Sequence, residues 1–341
     1  MPRLPPSLFW KARQQISPFA PILLPVCRTL DSAANELRWI KQHVNSTSSL
    51  VPRKLRIWQA CLKRERGMPL QYILGTQPFG PLEILCRPGV LIPRLETESI
   101  IYHLSSLIPR PSPQAPPLKI LDLCTGTGCI PLLLSSLLFP ARTQITGVDI
   151  SPSAISLSRQ NLTHTISLRH LSPSASKSIN FTQADIFDLK FLPSLGYKPS
   201  ELDILVSNPP YISHHGFNTT TERSVRLYEP RLALVPQIHP TSHYNCEPED
   251  IFYAHLLEIV RTLQPKRVLF EVGDLDQAAR VVAMVVRGKG FLERYARNVE
   301  VWRDEPGVGL EGKAEKMWVG GNVEVEVKGQ GRGRGVYFWR E

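Results

Sequence analysis

The chain has 341 residues, 42% of them hydrophobic and 21% charged, enough for one large domain with a sizeable core plus a small one. No run of 18 or more apolar residues occurs, which excludes a conventional transmembrane helix and membrane insertion. The formal net charge of +10 favours an acidic partner such as nucleic acid or a nucleic-acid-bound protein, and equally fits a basic organelle protein. The six cysteines (Cys27, Cys61, Cys86, Cys124, Cys129 and Cys246) are scattered without a C-x-x-C pair, against a zinc pattern or a disulfide framework. Free thiols in a reducing compartment are expected, with Cys124 and Cys129 as small packing residues.

Residues 1–30 contain no Asp or Glu but carry Arg3, Lys11, Arg13 and Arg28. A basic, acid-free start fits a mitochondrial transit peptide. Its prolines suit an amphipathic targeting helix poorly, and a disordered cytosolic tail is the alternative. Residues 31–75 read as a small helical substrate-docking domain. Asp31 can cap a helix through Val44, with Ala33, Leu37, Ile40 and Val44 at helical spacing. A second helix is expected from Pro52 to Arg66, stopped by Gly67, with Leu55, Trp58 and Leu62 as its apolar face. Residues 76–93 form a hairpin linker with turns at Gly80-Pro81 and Pro88-Gly89. It delivers Pro93-Arg94-Leu95-Glu96-Thr97-Glu98 at a helix start, where Arg94 and Glu96 either line a cleft or act as solvated caps.

Residues 94–341 read as one α/β domain. After a proline-rich loop at 109–117, strands are expected at Lys119–Leu123, Gln144–Ile150, Ile179–Ala184, Leu202–Ser207 and Lys266–Val272. Helices are expected at Cys129–Leu138, from Ser151-Pro152 to Asn161, at Asp250–Leu263 and at Leu275–Val286. Residues 163–178 look like a loop insertion, and 212–250 like a loop or lid over the site. Phe291–Trp302 is strand-like, the tail 306–335 is glycine-rich, and Val336–Trp339 reads as a final edge strand. Strands alternating with helices imply a doubly wound, mainly parallel sheet.

Asp122-Leu123-Cys124-Thr125-Gly126-Thr127-Gly128 follows the first strand and precedes a helix. Gly126 and Gly128 permit a tight turn and close backbone approach to a ligand. Asp149 ends the second strand, where a carboxylate can accept hydrogen bonds from two ribose hydroxyls. A dinucleotide site wants a further glycine where Pro131 stands, and no Lys-Ser/Thr follows the glycines as a Walker site requires. S-adenosylmethionine carries no phosphate and needs neither. Asp185 and Ile186, ending the third strand, would give an acid and an apolar wall to a flat adenine.

The fourth strand stops at Asn208-Pro209-Pro210-Tyr211, because two prolines lack the N–H donors to continue it. In an open α/β sheet that edge is where ligands bind. This motif resembles the Asn-Pro-Pro-Tyr of methyltransferases acting on planar amide or amino nitrogens. The Asn208 oxygen and the Pro209 carbonyl can accept the two N–H bonds of such a nitrogen, and Tyr211 can stack on the planar group. No residue is required to act as a base, since a sulfonium methyl is already activated; positioning supplies most of the acceleration.

Together with Pro69–Gly75, Pro93–Glu98, Val148–Ser151, Tyr228-Glu229-Pro230, Leu232-Ala233-Leu234 and Glu271-Val272-Gly273, these blocks run in order from about residue 69 to 303. The chain resembles the glutamine N5-methyltransferases of class-1 peptide-chain release factors. The resemblance implies a seven-stranded Rossmann-like methyltransferase sheet with a small helical N-terminal domain. It implies S-adenosyl-L-methionine as methyl donor, with S-adenosyl-L-homocysteine as product. The implied acceptor is the glutamine of the release factor's Gly-Gly-Gln loop. Cys124, Thr125, Gly126, Thr127, Gly128, Asp149, Asp185, Ile186 and Asn208 would face the cofactor. Asn208, Pro209, Pro210, Tyr211, Arg94 and Glu96 would face the glutamine. Cys124 and Leu95 depart from the family, which commonly has glycine and proline there. The helical N-terminus and basic charge point to the mitochondrial form, with a cytoplasmic one as the alternative. An adenine-N6 DNA or RNA methyltransferase is the runner-up, although no sizeable target-recognition domain is evident; a non-catalytic binding protein of the same fold is the third reading.

Overall fold

A computed structural model describes residues 3–109, 112, 114–237, 244–288, 290–308, 315–320 and 323–340. Parts of the proline-rich loop 109–117, the 212–250 segment and the 306–335 tail lie outside the described residues. In chain order the helices are α1 (Pro6–Gln15), α2 (Ala20–Cys27), α3 (Leu30–Ser46), α4 (Arg53–Glu65), α5 (Leu70–Leu74), α6 (Leu95–Ser106), α7 (Cys129–Leu137), α8 (Pro152–Ser167), α9 (Ala175–Ser178), α10 (His214–Thr219), α11 (Arg223–Tyr228), α12 (Ile251–Leu263) and α13 (Leu275–Val286). The strands are β1 (Thr76–Phe79), β2 (Leu82–Leu85), β3 (Leu118–Leu123), β4 (Thr143–Asp149), β5 (Ile179–Gln183), β6 (Ile204–Ser207), β7 (Arg267–Glu271), β8 (Val299–Glu305), β9 (Glu315–Val319), β10 (Val323–Lys328) and β11 (Gln330–Trp339).

The chain divides into two compact units. The first comprises the residues through Thr76, with Cys86–Pro88 and Thr221–Glu229. Its core joins Ala20, Leu23 and Leu24 of α2 to Ala33, Leu37 and Ile40 of α3 and to Ile57 and Cys61 of α4. Residues 1–30, expected as a separate basic segment, thus contribute two helices to this core. Their apolar content explains it: Leu23 and Leu24 bury fully, and Pro5, Pro6 and Pro21 sit at helix starts, where they do least harm, while Pro25 lies inside α2. Helix α3 is capped by Thr29, whose hydroxyl accepts from the Ser32 N–H at 3.2 Å, and not by Asp31, which lies in the first turn. On α4 the buried pair is Ile57 and Cys61, four residues apart, while Leu55 and Trp58 of the expected apolar face stay exposed. The Arg64 guanidinium grips Glu36 across this unit with two hydrogen bonds of 2.7 and 2.9 Å.

The second unit is Gln77–Leu85, Gly89–Thr220 and Pro230–Glu341. It opens with the β1–β2 hairpin and is built on one sheet in the order β5-β4-β3-β6-β7-β11-β8-β10-β9. Strands β3 to β7 pair in parallel, as βα crossovers require. Helices α6, α7 and α8 pack on one face and α12 and α13 on the other, giving two apolar layers around strands buried on both sides. Strand β11 runs antiparallel between β7 and β8 and is not an edge strand. Val336, Tyr337 and Phe338 are all buried, so both faces of β11 are covered, which an edge strand on a half-exposed sheet does not need. The glycine-rich tail contributes β9 and β10, an antiparallel hairpin that extends the seven strands to nine. The expected loop at 163–178 is partly helical: α8 continues to Ser167 and α9 follows. The strand-like stretch near Phe291 resolves into a short turn of helix and, later, β8. Among the described residues no helix is long and apolar enough to cross a membrane.

Candidate active site

Strand β3 pairs with β4 on one side and β6 on the other, so the direction of strand order reverses at β3. Crevices at the carboxyl ends of strands around such a point bind ligands. A cavity lies there, lined by Cys124, Thr125, Gly126 and Thr127 after β3, Asp149 to Ser151 after β4, Asp185 to Phe187 after β5, and Asn208 and Pro210 after β6. Residues preceding and opening α6 complete one side, Gly89 to Arg94 and Thr97. Pro230, Leu232, Ala233, Gln237 and Phe252 close another.

The turn after β3 folds on itself. The Thr125 N–H donates to the Val148 carbonyl at 3.0 Å and the Gly128 N–H to the Thr125 carbonyl at 2.9 Å. Cys124, Gly126 and Gly128 all have positive φ, of 65°, 54° and 78°. Glycine takes that conformation without a steric penalty, which accounts for its expected preference at position 124. A Cβ on Gly126 would meet no atom within 4 Å, so this residue faces open space at the cavity. Gly128 does not line the cavity. A Cβ there would come within 2.8 Å of the Phe181 ring and 2.9 Å of Ser158, so its close approach is to its own chain rather than to a ligand. Burial raises the thiols of Cys124 and Cys129, the latter to about 12, as expected of packing residues rather than nucleophiles.

Asp149 is held by backbone. Its Oδ2 accepts from the Gly126 N–H at 2.8 Å and its Oδ1 from the Ser151 N–H at 2.9 Å. Burial pushes this carboxyl up, against the pull of those N–H groups. Deeper still, burial raises the Asp122 carboxyl to about 8. The neighbouring Thr125 hydroxyl pulls it the other way, and Asp149 adds to the rise. Asp185 folds its side chain into a turn, with Oδ1 accepting from the Phe187 N–H at 2.9 Å. The Ile186 carbonyl is 2.6 Å from Nε2 of His255, which therefore carries the ring proton, while Nδ1 faces the Tyr244 hydroxyl at 2.9 Å. Phe187 stacks on the His255 ring at 4.5 Å, so the apolar wall rests on α12.

At the end of β6, Asn208 and Pro210 line the cavity, whereas Pro209 and Tyr211 do not. The Asn208 Nδ2 donates to the Thr97 hydroxyl at 3.3 Å. The Tyr211 hydroxyl donates to Glu271 at 3.2 Å, and its main-chain carbonyl accepts from Gln277 at 3.3 Å. Of the expected acceptor-side residues at the start of α6, the N-cap Arg94 lines the cavity and Glu96 does not. Thr97 and Glu271 were not singled out from the sequence as site residues. Both are 2% exposed, and they meet at 2.6 Å across 174 residues of chain. The segment after Tyr211 returns to the cavity: the Ile212 N–H donates to the Leu234 carbonyl at 2.9 Å, bringing Leu232 and Ala233 into its lining. No group of three or more His, Cys, Asp or Glu able to hold a metal occurs among the described residues.

The model of a family described as a methyltransferase domain matches residues 115–269, a span that runs from β3 into β7 and supplies most of the cavity lining. The Saccharomyces cerevisiae mitochondrial MRF1 N(5)-glutamine methyltransferase MTQ1 is 39% identical over 284 residues, covering 81% of this chain and 78% of the yeast protein. A Schizosaccharomyces pombe protein named as the probable MRF1 mitochondrial N(5)-glutamine methyltransferase is 34% identical over 279 residues, covering 77% of this chain and 84% of its own. The release factor glutamine methyltransferase of Chlorobaculum tepidum is 39% identical over 178 residues, 52% of this chain and 55% of that protein. The chain belongs to the release factor glutamine N5-methyltransferase family.

Proposed function

We propose that this protein transfers a methyl group from S-adenosylmethionine to the side-chain nitrogen of the glutamine in the Gly-Gly-Gln loop of a class-1 peptide-chain release factor. The reading places it in mitochondria, in support of translation termination. The observation that carries the site assignment is that Asn208 opens into the same cavity as Gly126 and Asp149, so acceptor and donor elements share one space.

The residues present fit the donor. The Asp149 carboxylate accepts backbone N–H groups at both oxygens and keeps lone-pair capacity for a ribose hydroxyl. Open space above Gly126 leaves room for the ligand's main body. Ile150, Ile186 and Phe187 provide the apolar wall an adenine ring prefers. When bound, S-adenosylmethionine supplies a methyl group on positively charged sulfur.

The chain's own residues hold the acceptor. A glutamine amide nitrogen is a poor nucleophile because its lone pair is delocalised into the carbonyl. Asn208 Oδ1 and the rigid Pro209 carbonyl accept its two N–H bonds and orient the nitrogen. Two consecutive prolines fix φ, so this acceptor pair loses little freedom on binding. Pro209 and Tyr211 adjoin Asn208 without lining the cavity; in this reading the Tyr211 ring, tethered by Glu271, swings against the planar amide once it is bound.

The test is to incubate the protein with labelled S-adenosylmethionine and either a release factor or DNA and RNA, then to locate the methyl group by mass spectrometry. Label on the glutamine side chain supports the reading. Label on adenine overturns it in favour of a nucleic-acid methyltransferase, and cofactor binding without transfer to any acceptor favours a binding protein.

A further inference from the structure

Glu271 ends β7 as a buried acid, and two hydroxyls converge on it. Thr97 donates to its Oε2 at 2.6 Å and Tyr211 to its Oε1 at 3.2 Å. The Thr97 oxygen is in turn 3.3 Å from the Asn208 Nδ2. A hydroxyl has one proton, and a carboxylate can only accept. With that proton committed to Glu271, the Thr97 oxygen must act as acceptor towards Asn208. Only the NH2 end of the Asn208 amide satisfies it. Oδ1 is then the end left for an incoming N–H.

We infer that Glu271 is a positioning residue which, through Thr97, fixes which end of the Asn208 amide meets the acceptor, and which, through Tyr211, fixes the stacking ring. This deepens the reading of the site as a glutamine methyltransferase and rests on it. A reversed amide would present two N–H donors to the substrate's own N–H bonds and repel it. The Glu271 backbone is anchored as well, its carbonyl accepting from the buried Tyr253 hydroxyl at 2.7 Å.

Protonation inverts the relay. A neutral Glu271 must itself donate a hydrogen bond. If it donates to Thr97, the Thr97 proton is released towards Asn208 and favours the reversed amide. Burial raises this carboxyl to about 7, while Thr97, Arg334 from β11 and Tyr211 pull it down and Glu96 from α6 pushes it up. Arg334 is partly neutralised by Asp304, whose Oδ1 accepts from it at 2.8 Å. The active form is the carboxylate, so transfer is expected to rise with pH through about 7.

The experiment uses the full chain with S-adenosylhomocysteine or S-adenosylmethionine and the variants Thr97→Val, Thr97→Ser and Glu271→Gln. Thr97→Val and Glu271→Gln are expected to lower kcat/KM for the release factor tenfold or more, with S-adenosylhomocysteine affinity within twofold of wild type. Thr97→Ser, which keeps the hydroxyl, is expected within threefold of wild type. The pH rise is expected to vanish in Glu271→Gln. Wild-type kcat/KM in Thr97→Val, or a Thr97→Ser variant as slow as Thr97→Val, overturns the inference. So does a parallel loss of cofactor affinity in Thr97→Val. Should Glu271→Gln fail to fold, the Thr97 pair decides alone. A readout independent of the acceptor is hydrogen exchange of the Asn208 side-chain NH2, followed by NMR in the S-adenosylhomocysteine complex. Protection lost in Thr97→Val supports the relay even if no release factor is methylated, and unchanged exchange refutes it even if one is.

Discussion

The Gly126 N–H donates to Asp149 Oδ2 at 2.8 Å, tying the turn after β3 to the end of β4 across 23 residues of sequence. One carboxylate thus shapes the turn and faces the cavity. Replacing Asp149 with alanine leaves the Gly126 and Ser151 N–H groups without their acceptor and removes the group assigned to the ribose. S-adenosylmethionine affinity is expected to fall at least tenfold, about 1.4 kcal/mol by calorimetric titration, with the release-factor KM affected less.

The two glycines of that turn are expected to fail differently. Gly126→Ala places a Cβ in open space, so its cost is the left-handed backbone alone, about 1–2 kcal/mol, together with weakened cofactor binding. Gly128→Ala adds a collision with Phe181 and Ser158, worth roughly a further 1–3 kcal/mol. Denaturant unfolding should rank Gly128→Ala as the more destabilised, although only Gly126 lines the cavity. The opposite ranking would contradict the packing role of Gly128.

The same turn marks how much was legible in the sequence. Strands β3, β4 and β6, the glycine turn, Asp149 and the proline stop after Asn208 are local patterns, and each carries its own signal. The placement of β11 was not local. Gln330 to Gly335 alternates glycine with polar residues and hides a strand, while Val336-Tyr337-Phe338, read as an edge strand because it ends the chain, lies between β7 and β8 and is buried on both faces. Thr97 and Glu271 could not be paired from sequence at all, because a contact across 174 residues is set by how α6 packs on the sheet. A buried acid at a strand end was the available hint, and an acid in a short Glu-Val-Gly stretch looks like any solvated strand terminus.

In the helical unit, Leu24 is fully buried on α2, within the stretch whose composition resembles a targeting segment. Leu24→Ala is expected to destabilise this unit by about 2–5 kcal/mol. Hydrogen exchange should report the loss in α1 to α4. Unchanged protection there would mean that α2 contributes little to the core.

Glu271 should also leave a mark on stability. Its carboxyl is raised from an ordinary 4.5 to about 7, chiefly by burial, so the folded state prefers the protonated form. Between these values the folded chain binds more proton than the unfolded one, and stability falls as pH rises. The contribution is complete below about pH 4.5 and lost above about 7, with a ceiling of roughly 3 kcal/mol. Glu271→Gln removes this dependence. Unfolding measured at pH 5 and 8 should therefore show a larger drop for the wild type than for the variant, and equal drops would contradict the raised carboxyl.

Methyl transfer by Asn208→Ala, measured by mass spectrometry of a release factor incubated with the full chain and S-adenosylmethionine, probes the acceptor site at its centre. Asn208 is partly exposed at the cavity, so its truncation should spare the fold and leave the melting temperature within a few degrees. One methyl group is expected on the Gly-Gly-Gln glutamine with the wild type, and transfer reduced at least a hundredfold with the variant. Full transfer by a folded Asn208→Ala variant would contradict the amide clamp on which the mechanism rests.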